Sequence, residues 1–429
     1  MDPAIITLCV LAVAAFLFVT ELIPLAVTAM AACTVLGILG VLPAKQVYAG
    51  LSNSTVVLFG GMFVIGAAMF RTGLAEAIGV AVVKKAGTSE IRLMTAIMLV
   101  TIAMSSVSSN TGTVACLMPV VIGICQAAKV PASKELMPLA IAANVGGTIT
   151  MIGTPPNVIV TGALAAAGLP TFGFFEFAKI GIPLSIIILL YTLFVGRHFL
   201  PVHNAGDMDE EAVKAAKEEA GSAGDAPKSK TKMWISGLIL IGVVVCMALG
   251  LKNLPLHTAA VTGAILCVIT GCLKEKEAYA GIDWVTIFLF AGMLSVATAM
   301  DKTGAGKLIA DTVVGMMGSN PNPYVLTTVL FLISNILTQF MSNTASAALL
   351  APIGISIAQS IGVDPKPVLM ALGIAASCAF ATPMATPPNT LVLGPGNFTF
   401  NDYVKVGVPM CVLSLVVSVI IIPIMWPFH

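Results

Sequence analysis

Charged residues are scarce in this sequence. Only 10% of its residues are Asp, Glu, Lys or Arg, whereas an average soluble domain contains about 25%. Apolar residues make up 58% of the chain, and a soluble protein cannot hide that much apolar surface because its outer shell must face water. The net charge is +1, so no basic surface for nucleic acid is expected. These shortages exclude a water-soluble domain and favour a protein surrounded by membrane lipid.

Residues suited to catalysis or metal binding are also few. The four histidines do not cluster, and the nine cysteines show no Cys-x-x-Cys spacing. We therefore expect the cysteines to be small buried hydrophobes, with no metal centre and no organic cofactor. An intramembrane enzyme or a receptor is one class of membrane protein to consider. An enzyme is disfavoured, because acidic residues and histidines fall overwhelmingly at segment ends and in loops.

Long apolar runs predict ten membrane-spanning segments, since a helix needs about 20 apolar residues to cross the hydrocarbon core. The opening Met-Asp-Pro lacks the basic start of a signal peptide, so the first run is interpreted as a spanning helix. We expect a multi-pass protein of the plasma (cell inner) membrane. The runs cover residues 4–20, 23–43, 55–70, 136–165, 178–199, 233–251, 256–273, 284–300, 368–395 and 405–426.

Two further apolar stretches, 93–127 and 324–360, have polar centres. The centres read Ser-Ser-Val-Ser-Ser-Asn-Thr at 105–111 and Thr-Gln-Phe-Met-Ser-Asn-Thr at 338–344. Each arm has roughly 17 residues, a little less than a full span. Polar, non-helical backbone at membrane depth is tolerated only where protein or a wet cavity covers it. We therefore predict two re-entrant hairpins; two ordinary spans joined by a polar turn are the alternative.

Internal repetition indicates a tandem duplication. Four short segments recur in the same order at nearly one offset: 59–63 at 290–294, 71–73 at 302–304, 109–111 at 342–344, and 154–157 at 386–389. Each copy has about five spans. Because that number is odd, the second copy must insert upside down, which is the inverted-repeat plan of many secondary transporters.

The predicted fold is therefore an all-α polytopic membrane protein of two inverted repeats, each with a re-entrant hairpin and a broken helix. The excess of Lys and Arg in short loops on one side predicts a cytoplasmic linker and external termini. The predicted units are a first repeat at 1–200 (hairpin 93–127, broken helix 136–165), a linker at 201–232 and a second repeat at 233–429 (hairpin 324–360, broken helix 368–395).

The broken helices are predicted from prolines inside apolar runs. Asn144–Gly147 and Gly153–Asn157 interrupt the first run, and Ala381–Pro383 and Ala385–Asn389 interrupt the second. Paired prolines should break a helix and free its carbonyls. Such carbonyls, with hydroxyl and amide oxygens, suit sodium, while half-helix N-termini suit a carboxylate. No Lys, Arg or His lies in these segments, so cations would supply the charge that a buried dianion needs. A purely structural kink is the alternative.

The paired Ser-Asn-Thr and Thr-Pro-Pro-Asn motifs resemble those of the divalent anion:sodium symporter family, in the ion-transporter superfamily. The resemblance runs over nearly the whole chain, although that family commonly has an additional N-terminal helix. It implies secondary active transport by an elevator mechanism, with sodium ions co-transported with a small anionic substrate, a di- or tricarboxylate. It also implies a homodimer, in which a scaffold domain holds the dimer interface and a transport domain moves the site.

The resemblance also implies residue roles. Ser105 and Thr338 each lie four residues before a motif serine, so a helical arm places both on the same face. Both keep a hydroxyl. Exchangers of the family look as though a basic residue replaces sodium in the site, and none is present here, which favours symport. A sodium-independent dicarboxylate exchanger and an inorganic-anion permease on the same scaffold stay open. The implied substrate residues are Ser109, Asn110, Thr111, Ser342, Asn343, Thr344 and Pro387; the first sodium site uses Ser105, Ser109, Asn110 and the carbonyl near Gly153, and the second Thr338, Met341, Asn343 and Ala385.

Overall fold

In the computed structural model the chain is a bundle of helices joined by short turns. The structure describes residues 2–86, 89–128, 130–202, 229–251, 253–317 and 322–428, so residues 203–228 of the predicted linker lie outside the described residues. The described residues contain no β-strand. They form two short 3₁₀ turns, Ala49–Ser52 and Gly196–His198, and twenty α-helices: α1 Pro3–Thr20, α2 Leu25–Ile38, α3 Ala44–Val47, α4 Ser54–Arg71, α5 Leu74–Ala86, α6 Glu90–Ser105, α7 Asn110–Ala128, α8 Ser133–Gly146, α9 Pro155–Ala166, α10 Ala178–Phe194, α11 Lys230–Leu249, α12 Leu256–Ile269, α13 Glu275–Ala280, α14 Trp284–Thr303, α15 Ala305–Met317, α16 Pro323–Thr338, α17 Asn343–Ser360, α18 Pro365–Ser377, α19 Pro387–Leu393 and α20 Phe400–Met425.

The helices confirm the predicted all-α, multi-pass architecture. Six of them, α1, α4, α7, α11, α14 and α20, are long and apolar enough to cross a membrane. Four shorter apolar helices, α2, α10, α12 and α16, accompany them. Each predicted hairpin stretch contains two helices separated by a short polar turn, because its central serines, threonines and asparagines favour turns and caps over helix interiors.

The helices pack in two sets. In the first set, α2 lies against α14 and α4 lies against α12, so the two halves of the sequence interlock. In the second set, α8 packs against the hairpin of its own half, α6 and α7, and α18 packs in the same way against α16 and α17. The following short helices cross over: α9 lies against α17 and α18, and α19 lies against α7 and α8. Each broken helix therefore contacts both hairpins.

Helices α5 and α15 lie outside the apolar runs and hairpins that the sequence indicated. Both are shorter than a membrane span and carry charged residues, such as Glu76 and Lys307. Each nevertheless has a buried side, on which Ala75 and Ala310 are fully covered. Helix α5 packs on α6 and α7, and α15 packs on α17. An amphipathic helix of this kind buries one stripe only, so it leaves no long apolar run in the sequence.

Candidate functional site

Both predicted helix breaks are present, but the first begins later than the sequence indicated. Helix α8 continues through Asn144 to Gly146, and the irregular segment covers 147–154. In the second half the irregular segment covers 378–386. The paired prolines start the next helix rather than ending the previous one. Proline suits the first helical turn, because its φ is already helical and the N–H that it lacks would have no partner there.

The proline pairs change which helix ends can bind an anion. Pro155, Pro156, Pro387 and Pro388 have no N–H, and the next N–H groups, of Asn157 and Asn389, donate to threonine carbonyls at 3.2 and 3.0 Å. The N-termini of helices α9 and α19 thus present the positive end of the helix dipole to an anion but few free N–H groups. The N-termini of α7 and α17, at the hairpin tips, keep first-turn N–H groups that no carbonyl of their own helix accepts. These tips are the better place for a carboxylate.

The hairpin tips are capped by their motif serines. Ser342 accepts a hydrogen bond from the N–H of Ala345 at 3.1 Å, and Ser109 accepts one from Gly112 at 3.3 Å. A serine hydroxyl is a favoured N-cap because it satisfies one of the orphan donors of the first turn. The caps fix the start of each returning arm, and with it the positions of the asparagine and threonine that follow.

Around Asn110, several oxygens meet behind the first hairpin tip. Ser105 is fully buried, and its hydroxyl contacts the Asn110 amide and donates to the Ala143 carbonyl at 2.8 Å. The same end of the Asn110 amide lies 3.2 Å from the Ala143 carbonyl oxygen and 3.0 Å from that of Gly153. The amide can present its oxygen to a cation there, or its nitrogen as a donor to the two carbonyls. We call these four groups the first oxygen cluster.

Close backbone contacts bring the first break under this amide. A Cβ atom on Gly147 would lie 2.7 Å from Asn110 Oδ1 and 3.0 Å from the Gly153 carbonyl oxygen. A Cβ on Gly153 would lie 2.5 Å from the Gly147 carbonyl oxygen. Only glycine permits this approach without movement of the backbone. The sequence therefore uses glycine at the two positions that bring the carbonyls to the cluster.

A second oxygen cluster has the same construction. Thr338 is fully buried, and its hydroxyl oxygen lies 2.6 Å from Asn343 Oδ1 and 2.9 Å from the Ala376 carbonyl oxygen, the two acceptors available to its single O–H. Met341 lies in the tip turn and Ala385 in the break, and both side chains are buried. Thr338, Asn343 and Ala376 thus correspond to Ser105, Asn110 and Ala143. Hard neutral oxygens at such helix ends are typical ligands of transported cations.

Each break is closed by an asparagine and tied to its own hairpin by a threonine. The Asn157 amide donates to the carbonyls of Gly147 and Thr150 at 3.2 and 2.8 Å. Asn389 donates in the same way to those of Ala379 and Thr382 at 3.0 and 2.9 Å. The hydroxyls of the two threonines donate to carbonyls in the tip turns, Thr150 to Ser106 and Thr382 to Gln339. Tip and break thus form one hydrogen-bonded unit in each half.

Burial differs between the residues implied for substrate and the residues implied for sodium alone. Ser109 and Pro387 are exposed, and Asn110, Thr111, Ser342, Asn343 and Thr344 are half-buried, so a ligand can reach them. The residues implied for sodium alone are all buried: Ser105, Gly153, Thr338, Met341 and Ala385. The two cluster carbonyls, of Ala143 and Ala376, were not predicted. An alanine in an apolar run has no side-chain signal that marks its carbonyl as a ligand.

Comparison with known proteins decides the family. A family model described as citrate transporter matches residues 15–368 and 340–428. The chain belongs to the citrate transporter family. This transporter is 31% identical to an uncharacterized transporter of Haemophilus influenzae, over 96% of this chain and 89% of the relative. It is 26% identical to the sodium-dependent dicarboxylate transporter SdcS of Staphylococcus saprophyticus, over 96% and 84%. It is also 26% identical to the uncharacterized transporter YfbS of Escherichia coli, over 98% and 99%.

Two solved structures share the transporter's fold. The YdaH transporter of Alcanivorax borkumensis superposes with a TM-score of 0.65 at 15% identity, over all of both chains. MtrF of Neisseria gonorrhoeae gives a TM-score of 0.63 at 18% identity, over 91% of this chain and 84% of MtrF. The matches confirm the expected divalent anion:sodium symporter and ion-transporter assignment. The protein is a transporter rather than an enzyme, and a multi-pass membrane protein, in bacteria of the plasma membrane.

Proposed function

We propose that this transporter carries a small di- or tricarboxylate together with sodium ions. The observation that carries the proposal is the pair of matched oxygen clusters, each with a hydroxyl, an asparagine amide and a main-chain carbonyl. Oxygen-only sets of this kind suit a hard monovalent cation. The dicarboxylate is supported by the relationship to SdcS, which is a sodium-dependent dicarboxylate transporter.

The charge of the substrate supports coupling to sodium. No charged residue occurs in the two tip segments, 105–111 and 338–344, or in the two breaks with their proline motifs, 147–157 and 378–389. A dianion held there by neutral donors alone would lose its hydration without a fixed positive partner, which is costly. Sodium ions in the clusters directly behind the tips would offset that cost. Substrate affinity therefore depends on sodium occupancy, and this dependence is the physical basis of symport.

Substrate contacts are assigned to the two hairpin tips. The motif side chains and the first-turn N–H groups of α7 and α17 can donate to carboxylate oxygens, while the exposed ring of Pro387 adds an apolar wall. Asn110 and Asn343 belong both to a tip and to an oxygen cluster. Their amides can donate to substrate on one side and face a cation on the other. Each asparagine therefore links the two ligands directly.

We further propose an elevator mechanism in a homodimer of inverted repeats, with repeats at 1–200 and 233–429 and a linker at 201–232. The packing in two sets supports the assignment. The set with α1, α2, α4, α11, α12 and α14 would be the scaffold and hold the dimer interface. The set with the hairpins and broken helices would be the transport domain, because it contains both oxygen clusters and can move them as one body.

The test uses purified protein in liposomes. Radiolabelled succinate or citrate is supplied outside with an inward gradient of sodium, potassium or choline, with and without internal substrate. Uptake that requires sodium and no internal substrate supports symport. Uptake that requires internal dicarboxylate, whatever the cation, contradicts it and identifies an exchanger. If neither carboxylate enters under any condition, radiolabelled sulfate in the same assay tests for an inorganic-anion permease.

A further inference from the structure

The two breaks differ in one buried connection. Asn144, in the last turn of α8, is fully buried, and its amide nitrogen donates to Thr386 Oγ1 at 3.1 Å and to Asn389 Oδ1 at 3.0 Å. Both acceptors belong to the second half of the sequence. Asn389 is the residue that closes the second break, and Thr386 precedes the proline pair. A residue of the first half therefore holds the closing residue of the second break.

The equivalent position in the second half makes no such connection. Because Ala143 and Ala376 play the same part in the two clusters, Asn144 corresponds to Ser377. The hydroxyl of Ser377 donates to the Gly373 carbonyl of its own helix at 2.9 Å. The amide oxygen of Asn157, which closes the first break, is buried and finds no partner among the described residues. A residue of the first half thus holds the second break, but the equivalent residue of the second half does not hold the first break.

Asn144 also adjoins the first oxygen cluster along the chain. The preceding residue is Ala143, whose carbonyl accepts from Ser105 and lies 3.2 Å from the Asn110 amide. The two residues share one peptide unit, so a shift of the Ala143 carbonyl rotates the backbone that carries the Asn144 side chain. The second break receives that shift through the two hydrogen bonds from the amide.

The Asn144 amide is satisfied by hydrogen bonds at its nitrogen end only. The Asn144 amide oxygen is buried and has no partner among the residues that the structure describes. A buried amide that is satisfied at one end only gains little, since the unpaired oxygen has lost its hydration. An apolar side chain would avoid that cost but would leave the buried Asn389 Oδ1 without the donor that Asn144 supplies. What the asparagine provides is the connection to Thr386 and Asn389.

We propose that Asn144 is a positioning residue that couples the two oxygen clusters, so that a cation bound in the first cluster favours binding in the second. The inference rests on the proposed sodium coupling. Occupancy of the first cluster fixes the Ala143 carbonyl, and Asn144 then holds Asn389 and the second break in the binding geometry. Coupling of this kind between two sites is reciprocal, because it is one interaction free energy.

The test measures sodium activation of succinate uptake in liposomes for wild type, Asn144→Ala and Asn144→Ser. Serine is the residue that stands at the equivalent position of the second half. We expect a wild-type Hill coefficient above one that falls to about one in both variants, while the half-saturating sodium concentration rises about fivefold or more. Ser377→Ala is the matched control and should leave both quantities as in wild type. A fluorescence thermal-unfolding curve on each variant verifies folding.

The possible outcomes separate the inference from the proposed function. Wild-type uptake that ignores sodium overturns the proposed function and the inference together. Sodium-dependent uptake with an unchanged Hill coefficient in both Asn144 variants overturns the inference alone. A purely structural role would lower the unfolding temperature and the maximal rate but leave the Hill coefficient unchanged, which also overturns it. A lowered Hill coefficient in the Asn144 variants, with Ser377→Ala unaffected, supports the coupling.

Discussion

The first and second breaks reach the same oxygen geometry by different physical means. The first break relies on close backbone packing: a Cβ on Gly146 would lie 2.7 Å from the Cα of Ile102, on the facing hairpin arm. In the second break Asn335 stands where the first has Ile102, and its amide donates to the carbonyls of Ala375 and Cys378 at 3.0 and 2.9 Å. Gln339 adds a further support by accepting from the Ala381 N–H at 2.9 Å.

Both halves share the geometry of the oxygen cluster. They differ in what supports it, which is glycine packing in the first half and side-chain hydrogen bonds in the second. A glycine contact leaves no space, so the first break should be intolerant of added atoms. Hydrogen bonds from side chains leave space but must all be made, so the second break should be sensitive to the loss of polar groups. Substitutions at matched positions can separate these two kinds of sensitivity.

The largest effect on uptake is expected at the asparagine that both oxygen clusters share, Asn110 in the first half and Asn343 in the second. Asn110→Ala and Asn343→Ala should each abolish succinate uptake, by at least about a hundredfold, because each removes a substrate donor and a cation ligand together. Uptake in liposomes measures the loss, and size-exclusion chromatography with light scattering checks that the proposed dimer persists. Near-normal uptake in both variants contradicts the site assignment.

A large effect confined to the first break is expected from Gly153→Ala. The added methyl would overlap the Gly147 carbonyl, so the backbone that carries the Gly153 carbonyl must move away from the cluster and uptake should fall about tenfold or more. Ala385→Gly is the matched control at the equivalent position of the second break, and we expect a change within about twofold there. Equal losses in the two variants, measured as initial rates, would show that the two breaks are supported in the same way.

A moderate effect on sodium affinity is expected from the cluster hydroxyls. Thr338→Ala should raise the half-saturating sodium concentration about five- to tenfold. One neutral ligand, or the hydrogen bonds that position it, contributes about 1–1.5 kcal/mol to the free energy of sodium binding. Ser105→Ala should act in the same direction at the first cluster, while Thr338→Ser keeps the hydroxyl and should resemble wild type. A sodium activation curve unchanged by Thr338→Ala would remove Thr338 from the coupling site.

The smallest effect on transport, with a measurable one on stability, is expected from Gln339→Leu. It leaves the Ala381 N–H without its acceptor in a buried position, which costs about 1–3 kcal/mol. Thermal unfolding of the purified protein should occur at a lower temperature. The half-exposed Ser106 holds the equivalent place in the first tip, and Ser106→Ala should change stability by no more than about 0.5 kcal/mol. Equal unfolding temperatures for the two variants would contradict the proposed difference in support.

Much of the fold was accessible from the sequence because it depends on composition and repetition. Apolar runs located the long helices, and the recurring Ser-Asn-Thr and Thr-Pro-Pro-Asn motifs located both tips and both breaks. Helices α5 and α15 were missed, since an amphipathic helix that mixes Lys307 with buried Ala310 resembles a charged loop. The start of the first break was misplaced because Asn144 and Gly146, although weak helix formers, are held in α8 by tertiary packing.

The site was accessible only as far as side chains carry the signal. Ser105 and Asn110 meet in the first oxygen cluster, and Thr338 and Asn343 meet in the second; their binding of sodium stays a prediction. The carbonyls of Ala143 and Ala376 could not be predicted, because any residue has a carbonyl and only the fold decides where it points. The same limit applies to Asn144: its partners lie more than two hundred positions away in the sequence, in the other half.

The two threonine hydrogen bonds that join tip and break have a consequence for timing. A hairpin fastened by Thr150 to Ser106, or by Thr382 to Gln339, cannot swing open as a lid unless a buried bond is given up. Neither hairpin can then open rapidly and independently as a gate. Within the proposed mechanism, substrate release waits for one collective displacement, on the microsecond-to-millisecond scale typical of rigid-body motions or slower. Turnover should therefore follow the viscosity and thickness of the surrounding bilayer more closely than the chemistry of the substrate.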